Sequence, residues 1–172
     1  MDRRKFFKSS VPEEFAMLRK NTVVIENPRD SHELDTKQSR AVIHNRAGEI
    51  VCTFKADRLD CGLELSFATT ARGDAFFKIT NGVSIGEMPS VIVGDRTLAL
   101  CSDKSGNSTL HVWIDGSVVV AFVDSKRVVT TRFYEMPSRS DEIQVRWTGK
   151  ADSLASLAVF DIQPVSPDRL TT

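Results

Sequence analysis

No apolar run in this sequence approaches the roughly 18 residues that a membrane-spanning helix needs. Neither charge is in excess, since 23 Lys plus Arg stand against 23 Asp plus Glu. That balance removes the usual electrostatic ground for a nucleic acid or an anionic membrane as partner. Cysteine is scarce: Cys52, Cys61 and Cys101 are widely separated. An odd, scattered set supplies neither a disulfide framework nor the close pairs of a structural zinc site. Cys52 and Cys101 fall inside apolar runs, where cysteine reads as a small buried hydrophobe. The three histidines, His32, His44 and His111, have no metal-ligand spacing, so neither a metal nor a cofactor is expected. Aromatic residues are 8% of the chain, with two Trp and one Tyr, too few for an extended stacking groove.

What the chain does have is the composition of one folded domain. Its 172 residues are 41% apolar and 27% charged, enough for a single substantial core. The start, Asp2-Arg3-Arg4-Lys5-Phe6-Phe7-Lys8, resembles a twin-arginine export signal. The next stretch, "SSVPEEFAMLRK" (9–20), mixes acids and bases and cannot serve as the apolar region of such a signal. Two readings stay open: an exported precursor with an internal deletion, or a basic tail of a cytoplasmic protein. Ser10 to Lys20 predicts a short helix, with Pro12 in its first turn, Glu13 and Glu14 near its amino end and Arg19-Lys20 at its carboxyl end. The expected organisation is therefore a tail and linker helix over 1–20 and one domain over 21–172, with a polar loop at 27–40.

Nearly everything after that loop is strand-like. The runs are "GEIVCTFKA" (48–56), "GLELSFATT" (62–70), "DAFFKITN" (74–81), "SVIVGD" (90–95) and "RTLALCS" (96–102). "TLHVWID" (109–115), "SVVVAFVD" (117–124), "RVVTTRFY" (127–134), "EIQVRWTG" (142–149) and "SLAVFDIQ" (156–163) follow. Short β-branched runs at this spacing, with no helical crossovers, predict an all-β fold. An antiparallel β-sandwich of jelly-roll or concanavalin A-like type is expected.

The segment "LHVWIDGSVVVAF" (110–122) reads as a β-hairpin turning at Asp115-Gly116. That turn would set Trp113 opposite Val118 and His111 opposite Val120. Alternation then puts Leu110, Val112, Ile114, Val119, Ala121 and Val123 on one face, with His111, Trp113, Val118, Val120 and Phe122 on the other. The second face is unusually apolar for a surface. It is the expected interface.

"LHVWIDGSVVVAFVDSKRVVTTRFYEMP" resembles the carboxyl-terminal β-sandwich of glycoside hydrolase family 32, the invertases, inulinases and levanases. Asp115, Ser117 and Phe122 match one part of that family's pattern, and Thr131, Arg132 and Tyr134 another. "PEEFAMLRK" (12–20) is similar to the segment joining the family's catalytic propeller to its sandwich, with Phe15 where Leu is usual. Val120 stands where the family usually has Glu. The family's catalytic motifs have no counterpart: "NPRD" (27–30) has Pro before Arg-Asp, and no Glu-Cys pair occurs. A retaining glycosidase needs two carboxyl groups about 5–5.5 Å apart. The resemblance therefore implies a fold and an accessory, non-catalytic role. Its partner would be a second copy of the chain or a separate catalytic propeller chain, and the alternative role is glycan binding. Trp113, Tyr134 and Trp147 are the candidate sugar-stacking residues.

Gly82-Val83-Ser84-Ile85-Gly86 matches the serine-hydrolase pattern G-x-S-x-G. That pattern needs a helix after the Ser, and "EMPSVIVGD" (87–95) cannot supply one, so an esterase is not expected. Asn107-Ser108-Thr109 is a glycosylation sequon, which matters only in a eukaryotic secretory pathway.

Overall fold

The computed structural model describes residues 17–26, 40–58, 61–67, 75–85, 88–133 and 142–163. These form twelve strands: β1 (Arg19–Glu26), β2 (Arg40–Ile43), β3 (Ala47–Lys55), β4 (Cys61–Phe67), β5 (Ala75–Ile85) and β6 (Met88–Val93), then β7 (Arg96–Ala99), β8 (Asn107–Asp115), β9 (Val118–Val123), β10 (Arg127–Arg132), β11 (Ile143–Thr148) and β12 (Leu154–Ile162). A 3-10 turn, Ala151–Ser153, precedes β12. The strands make two six-stranded sheets with orders β1-β12-β3-β8-β9-β10 and β2-β11-β4-β5-β6-β7. Every pairing among them is antiparallel. The β-sandwich expected from the alternating runs is the fold.

Alternation builds the core. In β8, Leu110, Val112 and Ile114 are buried, while Thr109, His111 and Trp113 between them are half-buried. In β11, Ile143, Val145 and Trp147 point inward in the same way. Both sheets contribute to one cluster, including Ile50, Cys52 and Phe54 from β3 and Leu63, Leu65 and Ile79 from the opposite sheet. Trp147 packs against Phe54 with ring centroids 5.8 Å apart.

Three sequence expectations need correction. Of the helix expected over Ser10–Lys20, residues 10–16 lie outside the described residues, and Arg19 and Lys20 belong to β1. A strand forms there because Val23 and Val24 find partners in Val159 and Ala158 of β12, a pairing that sequence-local end charges cannot announce. Second, Arg40, at the end of the expected loop, begins the four-residue strand β2.

The third concerns the hairpin register. Asp115 pairs with Val118, Trp113 with Val120 and His111 with Phe122, so the turn is Gly116-Ser117. Gly116 has φ of 59° and Ser117 is not among the positive-φ residues, which fits a type II′ turn with glycine first. Asp115 stays extended because its backbone also pairs with Ala47 of β3. The slip amounts to two residues, so both faces keep their membership.

Candidate functional site

Cross-strand partners on the outer face of the β1-β12-β3-β8-β9-β10 sheet fall into two rows. One runs Val24, Ala158, Val51, His111, Phe122, Val128 across all six strands. The next runs Phe160, Glu49, Trp113, Val120, Thr130 across five. The first is apolar but for His111. Its ends and Phe122 reach solvent, with Val24 57%, Phe122 37% and Val128 55% exposed. Val118 and Val120 beside them are half-buried.

Glu49 is the anomaly in the second row. Its position alternates outward, yet its side chain is 0% exposed. Arg19 binds it as a fork, Nε donating to Oε2 and Nη2 to Oε1, both at 2.6 Å. His111 Nε2 lies 2.6 Å from Oε1 on the other side. An ionised carboxylate only accepts, so Nε2 carries the proton in that contact. Burial alone raises the Glu49 pKa, but hydrogen bonds from His111 and Arg19 outweigh it, and the carboxyl sits below its ordinary value of 4.5. The Arg19 guanidinium also lies 4.4 Å over the Phe160 ring. The His111 ring stands 5.3 Å from Trp113 and 6.3 Å from Phe122. A neutralised Arg–Glu pair with an imidazole is thus set between Phe160 and Trp113.

The sequence reading marked His111, Trp113, Val118, Val120 and Phe122, and the structure does gather them on this face. It missed Arg19, Glu49 and Phe160. Val120 faces Trp113 rather than His111, and the acid that meets His111 comes from β3. Trp147, offered as a sugar platform, is instead 3% exposed in the core, where its Nε1 donates to Ser153 Oγ at 3.2 Å. Tyr134 lies outside the described residues.

Other described acids are engaged by polar partners of their own. Asp161 Oδ1 accepts from the His44 backbone N–H, and its Oδ2 accepts from Asn21 Nδ2 and lies at His44 Nδ1, each at 2.8 Å. Glu142 approaches the other His44 nitrogen at 3.9 Å, with both side chains about half exposed. That cluster ties β1 and β12 to the β2–β3 turn on the surface. Burial would raise Glu64, but hydrogen bonds and charge from Arg146 and Lys78 hold its carboxyl low. An open cleft of about 610 Å³ lies between β10 and β5–β6, lined by Phe76, Phe77, Val129 and Phe133 with Lys78, Asp95 and Arg96 at its rim. Among the described residues it contains one carboxylate, Asp95, which is 89% exposed and 3.6 Å from Arg96. Among the described residues no group of three or more His, Cys, Asp or Glu could hold a metal ion.

The G-x-S-x-G segment forms no strand-to-helix elbow. β5 continues through Ile85, and Ser84 pairs with Pro89 of β6 in an antiparallel hairpin. Cys52 and Cys61 are buried, as expected of Cys52, and burial together with the neighbouring Cys61 pushes the Cys52 thiol well up. Cys101 departs from expectation: it is only partly buried, beyond the end of β7, and Arg127 Nη1 donates to its Sγ at 2.9 Å.

The profile described as "Glycosyl hydrolases family 32 C terminal" matches residues 14–161. The chain belongs to that family. Sucrose-6-phosphate hydrolase from Lactobacillus gasseri is similar over 88% of this chain and 30% of its own, at 15% identity and a TM-score of 0.57. Fructofuranosidase from Schwanniomyces occidentalis is similar over 90% of this chain and 35% of its own, at 12% identity and a TM-score of 0.54. For exo-inulinase from Aspergillus awamori the shares are 87% and 31%, at 12% identity and a TM-score of 0.51. At these identities the solved structures speak for the fold. The chain spans about a third of their length. Among curated proteins none matches it.

Proposed function

We propose that this family 32 sandwich is a non-catalytic accessory module that seats against a family 32 catalytic propeller. The observation that carries the reading is the apolar patch at the β9–β10 end of the outer face. Phe122 and Val128 are direct cross-strand partners and both reach solvent, with Val118 and Val120 alongside. A contiguous apolar surface of this kind is characteristic of a contact site. The propeller is the favoured occupant because the similar enzymes carry about two-thirds of their length beyond the part that matches this chain. A non-catalytic role is supported by the match being to the carboxyl-terminal part of the family alone.

The test combines assay and co-elution. Purified chain alone is expected to hydrolyse neither sucrose nor inulin above buffer. Mixed with a family 32 propeller supplied as a separate chain, it is expected to co-elute, and Phe122→Asp is expected to abolish co-elution. Hydrolysis by the chain alone would overturn the non-catalytic part. Absence of a complex, or a dimer of this chain closed over Phe122, would overturn the choice of partner.

A further inference from the structure

We infer that the outer edge of β10, with the cleft beneath it, accepts an extended, acidic polypeptide segment as an added strand. This goes beyond the accessory reading and does not depend on it. Among the described residues β10 ends its sheet, with β9 on one side only. Phe133 N–H donates to the Ser117 carbonyl oxygen at 2.8 Å, in continuation of the β9–β10 register. Antiparallel bonds alternate, so Arg127, Val129 and Thr131 turn their N–H and C=O groups toward β9, while Val128, Thr130 and Arg132 turn theirs away. Those last three residues are exposed. Such a row of outward donors and acceptors is what an incoming strand pairs with.

β10 also borders the cleft of about 610 Å³. Side chains of an added strand would alternate, and those in line with Val129, Thr131 and Phe133 would enter that cleft. Its floor is already built: Phe133 meets Phe76 and Phe77 edge-on, with ring centroids 4.8 and 5.9 Å apart. An apolar side chain fits there without rearrangement. Charge chooses the occupant. Lys126, Arg127 and Arg132 lie along the β9–β10 hairpin, with Arg96 and Lys78 across the cleft. The acids nearby are partly used: Asp124 accepts from the Cys101 and Thr109 N–H groups, and Glu64 is shared by Lys78 and Arg146. Cations exceed acids along this edge, which favours an acidic segment. A second copy of the chain is disfavoured, because β10 paired with itself would bring two basic edges together. A nucleic acid has no strand backbone to pair with Val128, Thr130 and Arg132.

Calorimetric titration and amide hydrogen exchange on the intact chain test this, with the peptide Glu-Val-Glu-Phe-Glu-Val-Glu as probe and Lys-Val-Lys-Phe-Lys-Val-Lys as control. The acidic peptide is expected to bind and to slow exchange at Val128, Thr130 and Arg132, leaving Val129 and Thr131, already bonded to β9, unchanged. The basic peptide should bind at least about tenfold more weakly, a difference of about 1.4 kcal/mol. Arg132→Glu, at an exposed position, should weaken the acidic peptide about fivefold or more. Thr130→Pro removes one outward N–H and no bond to β9, a change an edge strand tolerates, and should weaken it about tenfold. Unslowed exchange at the three amides with millimolar peptide would overturn the inference. So would equal affinity for the two peptides, or binding that survives Thr130→Pro. If Thr130→Pro fails to fold, Arg132→Glu decides, and undiminished binding by that variant overturns the inference. None of these measurements involves a propeller, so their failure is distinct from failure of the accessory reading.

Discussion

His111 and Glu49 sit diagonally across neighbouring strands of a sheet's outer face, with Nε2 2.6 Å from Oε1 and Arg19 closing the other side. The carboxylate is fully removed from water while Arg19 keeps a quarter of its side-chain surface. Removing the charge from such a pair leaves its partners short of an acceptor. Glu49→Gln is expected to cost about 2–4 kcal/mol, short of the top of the usual range because Arg19 can turn toward water. In a cycle with Arg19→Gln the two changes should couple by about 1–3 kcal/mol in urea melts. Additive losses would mean that the fork contributes nothing beyond its separate side chains.

The same carboxylate sets an acid limit. Its folded pKa is depressed below 4.5, so its contribution is fully present above that value and is lost as pH falls through the folded pKa. The urea midpoint of the native protein should therefore fall more steeply below about pH 4.5 than that of Glu49→Gln. Parallel acid limbs for the two proteins would contradict this.

The faces of the sandwich were legible because alternation survives errors of an even number. The hairpin slipped by two residues between Asp115-Gly116 and Gly116-Ser117, and every side chain kept its side. β1 was not legible: the sequence between Pro12 and Lys20 satisfies local rules for a helix, and only β12, far along the chain, makes a strand of Arg19 and Lys20. Glu49 was hidden for a related reason. A single glutamate at an outward strand position reads as solvated, and its partners lie 30 and 62 residues away. In the sequence Arg19 reads as the basic end of a helix, which hides its ion pair with Glu49. The shared face of His111, Trp113, Val118, Val120 and Phe122 was legible because those residues are adjacent in one hairpin, whereas Val128, beside Phe122 on β10, was not.

Two glycines separate conformational from steric necessity. Gly116 has φ of 59° and open space around an added Cβ. Gly116→Ala should cost about 1–3 kcal/mol, the strain of a positive-φ turn position that favours glycine. At Gly62 an added Cβ would stand 2.0 Å from the Ile79 carbonyl oxygen. No side chain can yield there, because the obstacle is backbone of the paired strand β5. Gly62→Ala must part β4 from β5 and should be the more damaging by several kcal/mol (about 3 or more) in denaturant melts. Similar midpoints for the two variants would show that β4 and β5 can part at Gly62 at little cost.

The thiols should report burial by their rates. Cys52 and Cys61 are 0% and 1% exposed, and Cys52 is further protected because burial keeps it as the unreactive thiol. Cys101 is partly accessible, with the Arg127 guanidinium on its sulfur. In the native protein a thiol reagent is expected to label Cys101 first, while Cys52 and Cys61 react only as fast as the fold opens. Cys101→Ser should remove the fast phase alone. Equal rates for all three would mean that the β3–β4 end of the core opens freely.

The outer patch should tolerate charge where the inner face does not, although the two alternate along β9. Phe122 is 37% exposed and pairs with solvent-facing Val128, so an aspartate at position 122 keeps its water. Phe122→Asp should change stability by less than about 1 kcal/mol. Ala121, the next residue, is 0% exposed between Val112 and Val129, and Ala121→Asp would bury an unpaired carboxylate. That variant is expected to fail to fold, by loss of the cooperative melt. The contrast makes Phe122→Asp a clean probe of the contact surface, because any lost complex then reflects the patch itself. If Phe122→Asp unfolds the chain as Ala121→Asp does, this face is packed as tightly as the core and cannot be the seat of a partner.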